Sequence, residues 1–353
     1  MINILIVEDT DTETLILKKI FESEPDMRVV GCAKNGKIAV DLVAKLKPTL
    51  VTMDIQMPIM DGLDAIRQIM SHHPTPIVVI SSHLNDDGMK INFCALEAGA
   101  LTLIEKPKNF MSPAFEPVRK SIIDSVRNMA EIHVVKRRFH TRTKSIKLPK
   151  PFRFVSLEKN FELVAIGTSV GGPQVLKRIF SELSATFPLP IVVVQHMSPG
   201  FMGGFIKWLN DDCLLTVKIA EHMEILRPGY IYFAPDYHHL EIDRVYDNLT
   251  VKLVKSLPVS GFCPSATVLL ESVAKTCGKN AIGLLLTGMG NDGAQGLLEL
   301  KKAGGHTIIQ DSHSAIVFGM AGVAQSLGAV DRVLDLENIS NYLTSITKIK
   351  EKF

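Results

Sequence analysis

The sequence predicts an α/β protein of two domains, each a parallel sheet wound with helices on both faces, joined by a basic linker. Three observations carry that expectation. The chain has 353 residues, where a domain takes about 150. Short apolar runs alternate with stretches of helical spacing through residues 2–105 and again beyond 161, the pattern of buried strands and crossover helices. Between the two series, residues 119–159 hold 12 basic and 3 acidic side chains, no clear period, and Pro149 and Pro151. The expected divisions are therefore 1–125, 126–158 and 159–350.

In the first series, residues 2–7 form an apolar run ending in acid, and 10–23 carries Leu15, Ile16, Ile20 and Phe21 at helical spacing. Strand 27–33, helix 36–46, strand 50–53, helix 62–71, strand 77–81, helix 89–98 and strand 100–105 follow. Helical spacing then resumes to about Met129. In the second series, 163–166 is a strand, 172–183 a helix and 191–194 a strand. Segments 230–234 and 249–253 read as an antiparallel insertion with a turn at Pro235 and Asp236. Helix 264–276, strand 281–286, helix 292–303 and strand 306–310 complete the pattern.

Composition removes several classes. With 46% hydrophobic and 22% charged residues, the chain is neither disordered nor fibrous. Its longest apolar runs, such as 189–194 and 281–286, are strand-length, whereas a membrane span needs about 18 residues. The start MINILIVED lacks the basic region of a signal peptide, so a cytoplasmic protein without membrane insertion is expected. Five scattered cysteines, with no C-x-x-C pair, fit a reducing compartment rather than a disulfide framework or zinc site. The basic strip has no nucleic-acid reading motif and reads as a solvated linker. Nothing demands more than a monomer.

Sites in open parallel sheets lie at the carboxyl ends of strands. Glu8 and Asp9 follow the first strand, Asp54 the third, Ser81 ends the fourth and Lys106 follows the fifth. Three clustered carboxylates repel one another unless a hard cation such as Mg²⁺ joins them. A lysine and a hydroxyl facing the same spot can hold an incoming phosphoryl group, so the cluster reads as Asp54 accepting phosphate with Mg²⁺ on Glu8, Asp9 and Asp54. The Lys106–Pro107 junction is also suited to fixing a cis turn.

The string MDIQMPIMDG, with Asp54, Met57, Pro58, Asp61 and Gly62, together with Glu8–Asp9, Ser81 and Lys106–Pro107, resembles bacterial response-regulator receiver domains over residues 1–125. The resemblance implies a phosphoacceptor at Asp54 and a histidine kinase as phosphodonor. Receivers commonly carry an aromatic switch residue three positions before the lysine. That position is Leu103 here.

In the second half, strand 163–166 runs into GTSVGG and a helix, a tight turn that exposes Ser169 and offers backbone N–H groups to an oxyanion. It matches the G-x-S-x-G pattern, and the absence of a following Lys-Ser/Thr excludes a Walker-type loop. A serine needs a base. His196 ends the next strand, and Asp292 follows a third in TGMGNDGA. Nucleophile, proton carrier and orienting carboxylate would thus share one sheet edge, in the order Ser–His–Asp that disfavours the common α/β-hydrolase fold. A competing reading stays open: Gly288, Gly290 and Gly293 satisfy G-x-G-x-x-G, and Asp311 follows the next strand as in a dinucleotide site. Against it, Asp292 would repel a pyrophosphate.

IGTSVGGPQVL, VVQHM, YFAPDYHHL, TGMGNDGA and IVFGM together resemble the catalytic domain of chemotaxis protein-glutamate methylesterases over about 160–345, a Rossmann-like hydrolase. The resemblance implies Ser169 as nucleophile, His196 as base and Asp292 as orienting carboxylate. It also implies hydrolysis of glutamate γ-methyl esters on methyl-accepting chemoreceptors with no cofactor for hydrolysis, deamidation of receptor glutamines, and inhibition by the receiver relieved when Asp54 is phosphorylated. Val170 stands where many members have threonine, which leaves oxyanion binding to backbone N–H groups such as those of Val170 and Met289. Cys263 replaces a frequent arginine and Ala321 a usual proline. A receiver whose second half has become a binding module is the alternative.

Overall fold

The computed structural model describes residues 1–81, 86–106, 115–132, 134 and 160–347. Pro107 and most of the basic strip lie outside them. The chain divides into two units, Met1–Ser145 and Ile146–Phe353.

The first unit runs β1 (Ile2–Val7), α1 (Asp11–Glu22), β2 (Met27–Ala33), α2 (Gly36–Leu46), β3 (Leu50–Met53), α3 (Gly62–His72), β4 (Ile77–Ser81), α4 (Asp86–Ala98), β5 (Thr102–Glu105) and α5 (Phe115–Ala130). Among the described residues its five strands are all parallel, in the order β2-β1-β3-β4-β5. Every residue of β3 and β4 is buried, as expected of strands covered on both faces. The chain runs from β1 to β2 on one side and back to β3 on the other, so a crevice opens at the carboxyl ends of β1 and β3. Side-chain caps start two of the helices: Asn35 accepts from the Ile38 N–H and Asp61 from the Asp64 N–H.

The second unit runs β6 (Leu163–Thr168), α6 (Gly172–Phe180), β7 (Ile191–Gln195), α7 (Met202–Asn210), β8 (Thr216–Ile219), β9 (Tyr230–Phe233), β10 (His239–Val245), β11 (Asn248–Val254), α8 (Ala266–Thr276), β12 (Ala281–Leu285), α9 (Ala294–Lys302), β13 (His306–Gln310), α10 (Met320–Ser326), β14 (Arg332–Leu334) and α11 (Leu336–Ile346). Seven parallel strands form the order β14-β13-β12-β6-β7-β9-β8. The order reverses at β6, whose neighbours are β7 on one side and β12 on the other. Both units therefore place their crevice where strand order turns back.

One expectation is corrected. Segment 230–234 is not part of an antiparallel insertion: β9 lies inside the main sheet, parallel to β7 and β8. Ile231, Tyr232 and Phe233 are buried, which an edge hairpin could not achieve, and the Tyr232 hydroxyl accepts from the Arg227 N–H at 3.1 Å. The antiparallel hairpin is β10–β11. It is fastened to α8, where Ser272 Oγ accepts from the Ile242 N–H and Thr276 Oγ1 donates to the Ile242 carbonyl, both at 2.9 Å. Helix α9 starts two residues later than expected, which leaves Asp292 in the preceding turn. Among the described residues no helix is long and apolar enough to cross a membrane.

Helix α3 begins hard against the end of β3: a Cβ on Gly62 would lie 2.0 Å from the Asp54 carbonyl oxygen and 2.9 Å from Ile55 Cα. Both are backbone atoms that no rotamer change relieves. Gly62→Ala should destabilise the protein by about 1–3 kcal/mol, read as a lowered midpoint for the first unit in chemical denaturation. An unchanged midpoint would mean that this turn relaxes freely.

Candidate functional site

In the first unit, Glu8 and Asp9 follow β1, Asp54 follows β3, and Lys106 follows β5. One carboxylate oxygen from each of Glu8, Asp9 and Asp54 lies within 4.8 Å of the others. The Lys106 ammonium reaches Glu8 at 2.8 Å, Asp54 at 2.9 Å and Glu13, on α1, at 2.5 Å. The Lys106 N–H donates to the Ser81 carbonyl at 3.0 Å, which ties the ends of β4 and β5 together. Burial pushes the Glu8 carboxyl up to about 8 in spite of Lys106, and burial raises Asp54 as well. Burial opposes the charge of Lys106, but the carboxylates around it hold its pKa above the ordinary lysine value. One ammonium facing this many acids leaves the crevice negative. Exposed Asp9 opens on a cavity of about 420 Å³, lined also by Gln56, Met57 and Asp61. Hard oxygen donors with an open side suit a small dication.

In the second unit, β6, β7 and β12 are neighbours, and Ser169, His196 and Asp292 stand beyond their carboxyl ends. The Ser169 N–H donates to the Thr287 carbonyl and the His196 N–H to the Thr168 carbonyl, each at 3.0 Å. Gly171 takes the left-handed conformation at φ +78° that reverses the chain into α6. Gln195, the last residue of β7, is buried, and its Nε2 donates both to the Ser169 carbonyl at 2.9 Å and to the His196 carbonyl at 2.7 Å. Its Oε1 fills the space where a Cβ on Gly172 would sit, 2.0 Å away.

Asp292 is fully buried. Its oxygens accept from Ser265 Oγ at 2.7 Å, the Ala266 N–H at 2.7 Å, the Thr267 N–H at 3.1 Å and His196 Nε2 at 2.9 Å. The carboxylate therefore sits on the N-terminus of α8, not on that of α9. A helix N-terminus favours an anion. Burial pushes this carboxyl up, but His196, Ser265 and Thr267 hold it down to about 2. A carboxylate only accepts, so Nε2 carries the imidazole proton and Nδ1 keeps the lone pair. Nδ1 is buried and has no partner among the described residues. Proton transfer from the Ser169 hydroxyl would require it to close on Nδ1, and such contacts tighten when substrate binds. Phe262 lies flat on the imidazole, with ring centroids 3.7 Å apart and planes 5° apart. Among the described residues, neither the Val170 nor the Met289 N–H donates to a protein acceptor.

The dinucleotide reading fails on the same geometry. A Cβ on Gly288 would strike Met320 Sδ at 2.3 Å and Ser169 Cβ at 2.8 Å, so this glycine serves packing within the chain. The Gly293 N–H is taken by Thr267 Oγ1 at 2.7 Å, and Asp311 Oδ1 by the Ser314 N–H at 3.0 Å. The segment after β13 braces the loop, since the Gly319 and Met320 N–H groups both donate to the Gly288 carbonyl at 3.0 Å.

Sequence reasoning missed Glu13, Gln195, Phe262, Ser265 and Thr267. Gln195 and Ser265 border residues already singled out, and their polar side chains at a strand end and a helix start were the available signals. Leu103 is buried on β5 and Ala321 in the first turn of α10, where a proline would also fit. Cys263 is half-buried beside Phe262.

Known proteins resemble both parts of the chain. Residues 164–343 match the CheB methylesterase family and residues 4–112 the response regulator receiver domain. A Methanospirillum hungatei protein named protein-glutamate methylesterase/protein-glutamine glutaminase 2 is 39% identical over 99% of this chain and 100% of its own length. A Geobacter metallireducens protein, number 4 of the same name, is 41% identical over 99% and 100%. The crystal structure of the Thermotoga maritima CheB methylesterase catalytic domain covers 52% of this chain and 97% of its own, with 37% identity and a TM-score of 0.51.

The low pKa of Asp292 carries a signed expectation. Its folded value of about 2 lies below the ordinary 3.8, so it contributes stability that is complete above about pH 4 and lost as pH falls toward 2. The amount is about 2 kcal/mol. Denaturant midpoints of the protein and of Asp292→Ala should differ widely at pH 7 and converge toward pH 2. A constant difference would show that the charge of Asp292 is not what the fold uses.

Proposed function

The chain belongs to the CheB methylesterase family with a response-regulator receiver ahead of the catalytic segment, and from that premise we propose a phosphorylation-activated protein-glutamate methylesterase and protein-glutamine glutaminase. Its substrates are methyl-accepting chemoreceptors, its phosphodonor a chemotaxis histidine kinase, and its place of action the cytoplasm, as a monomer. Residues 1–125 form the receiver, 126–158 the linker and 159–350 the catalytic domain. The buried His196–Asp292 pair beside Ser169, at the turn-back of one parallel sheet, is the observation that supports this reading most.

The chemistry follows from the atoms. Ser169 Oγ attacks the γ-carbonyl carbon of the substrate side chain, and His196 Nδ1 takes its proton. Asp292 keeps Nε2 protonated and stabilises the imidazolium. The unpartnered N–H groups of Val170 and Met289 receive the developing oxyanion. As the tetrahedral centre collapses, the proton passes from Nδ1 to the leaving oxygen and methanol departs. Water then attacks the acyl-enzyme by the same route and releases glutamate. With a glutamine amide the leaving group is ammonia, so one site serves both reactions.

In the receiver, Asp54 accepts the phosphoryl group, and Lys106 and Ser81 steady its oxygens. Glu8, Asp9 and Asp54 would hold Mg²⁺, which when bound offsets the charge of the transferring phosphoryl group. Phosphorylation then favours an arrangement in which the receiver no longer covers the catalytic site, which requires the two arrangements to differ in free energy once phosphate is attached.

Methanol release from a methyl-esterified receptor fragment tests these roles. Ser169→Ala should lose roughly a thousandfold or more, and Asp292→Asn should retain at least about tenfold more than that variant. Undiminished release by Ser169→Ala would end the serine-hydrolase reading, whereas no release by the parent protein would leave the binding-module alternative standing.

For regulation, Asp54→Asn should keep basal activity and lose activation by a small phosphodonor with Mg²⁺. A chain beginning near residue 154 should outpace the unphosphorylated full-length protein, because deletion sets the uncovered fraction to one. A truncated chain no faster than the whole would sink the covering mechanism.

A further inference from the structure

The imidazole of His196 has its two edges treated unequally. Nε2 is held by Asp292 at 2.9 Å, while Nδ1 has no partner among the described residues. One hydrogen bond at one edge leaves the ring free to rock about the line through that bond. Among the described residues, the aromatic contact on the ring is the face of Phe262, parallel within 5° at 3.7 Å. We propose that Phe262 is a positioning residue for the hydrolytic reaction: its ring fixes the plane of the His196 imidazole so that the Nδ1 lone pair meets the serine proton.

The segment carrying Phe262 is built to hold it. Val259 and Phe262 close a tight turn by two reciprocal N–H to carbonyl bonds, each 3.0 Å. The two residues between them, Ser260 and Gly261, are both left-handed, at φ 53° and 84°, the conformation of a two-residue hairpin turn. Three residues further on, Ser265 donates to Asp292 at 2.7 Å, and its own N–H is held by His239 Nδ1 at 3.1 Å. His239 Nε2 in turn meets the Leu257 carbonyl at 3.2 Å, just ahead of the turn. Residues 257–267 thus form one closed frame that fixes the imidazole twice. Ser265, through Asp292, sets the in-plane edge, and Phe262 sets the face.

An aromatic face also favours a cation stacked upon it. The imidazole becomes cationic only after it takes the serine proton, so the contact is stronger at the transition state than at rest. Such a contact raises kcat and leaves substrate binding alone.

The inference rests on His196 being the base, and the test separates the two claims. Methanol release from a methyl-esterified receptor fragment is followed with the full-length protein, phosphodonor and Mg²⁺. The variants are Phe262→Leu, Phe262→Tyr, Phe262→Trp and His196→Ala. Leucine fills much of the space but offers no ring face. Phe262→Leu should lose about 3–10-fold in kcat with KM within about twofold and a thermal midpoint within about 4 °C of the parent. Tyrosine and tryptophan should restore most of the loss. The proposal is overturned if Phe262→Leu keeps full kcat while His196→Ala is inactive. It is also overturned if Tyr and Trp are as slow as Leu, or if the loss appears in KM or follows a fallen midpoint. An active His196→Ala would remove the base assignment itself, and this inference with it.

Discussion

The catalytic half depends on one buried charge. A carboxylate withdrawn from water costs far more than any single contact returns, unless donors surround it. Asp292 has four, from Ser265, Ala266, Thr267 and His196. Three of these belong to the start of α8, whose free N–H groups would themselves be left unsatisfied without an acceptor. The helix and the carboxylate complete each other. The fourth donor, an imidazole, is the only one that can do chemistry. Removing the charge would unsettle a helix terminus and the proposed base together, so fold stability and the proposed catalysis share this point.

Topology explains why the two units arrive at similar solutions with different chemistry. Each is a parallel sheet that begins near its middle, builds outward to one side and then returns to build the other. Loops leaving the two central strands diverge, and residues at those strand ends face a gap that the backbone cannot fill. In the first unit the gap collects acids and a lysine. In the second it collects a hydroxyl, an imidazole and a carboxylate. The chemical difference lies in a few loop residues placed on near-equivalent scaffolds.

How much of this the sequence displays follows from how local each signal is. Glu8, Asp9, Asp54, Ser169 and His196 each follow directly on a short apolar run, so their placement at strand ends is legible without a structure. The central strands are equally plain, since burial on both faces leaves no alternation to misread. Strand β9 misleads because its tyrosines resemble the half-exposed face of a hairpin, and only the internal partner of the Tyr232 hydroxyl reveals a core strand. Strand β14 is three mostly exposed residues, too short and too polar to register. Glu13 reaches Lys106 across 93 residues, and Ser265 reaches Asp292 across 27. Phe262 meets His196 through a fold in which neither residue's neighbourhood mentions the other. Such pairings exist only once the sheets have formed.

Gln195 has a consequence for how errors spread through the catalytic half. Its single amide nitrogen grips the Ser169 and His196 carbonyls together. Two N–H bonds diverging from one atom act as a ruler whose length is set by covalent geometry, not by how well surrounding side chains pack. The interval between those two backbones is therefore a fixed dimension. The reach to Asp292, by contrast, passes through the seating of α8 and its hairpin, and accumulates every small misfit along that route. Sequence drift in the outer layers would leave the serine and histidine backbones in register and show itself first in the tilt of the ring between them.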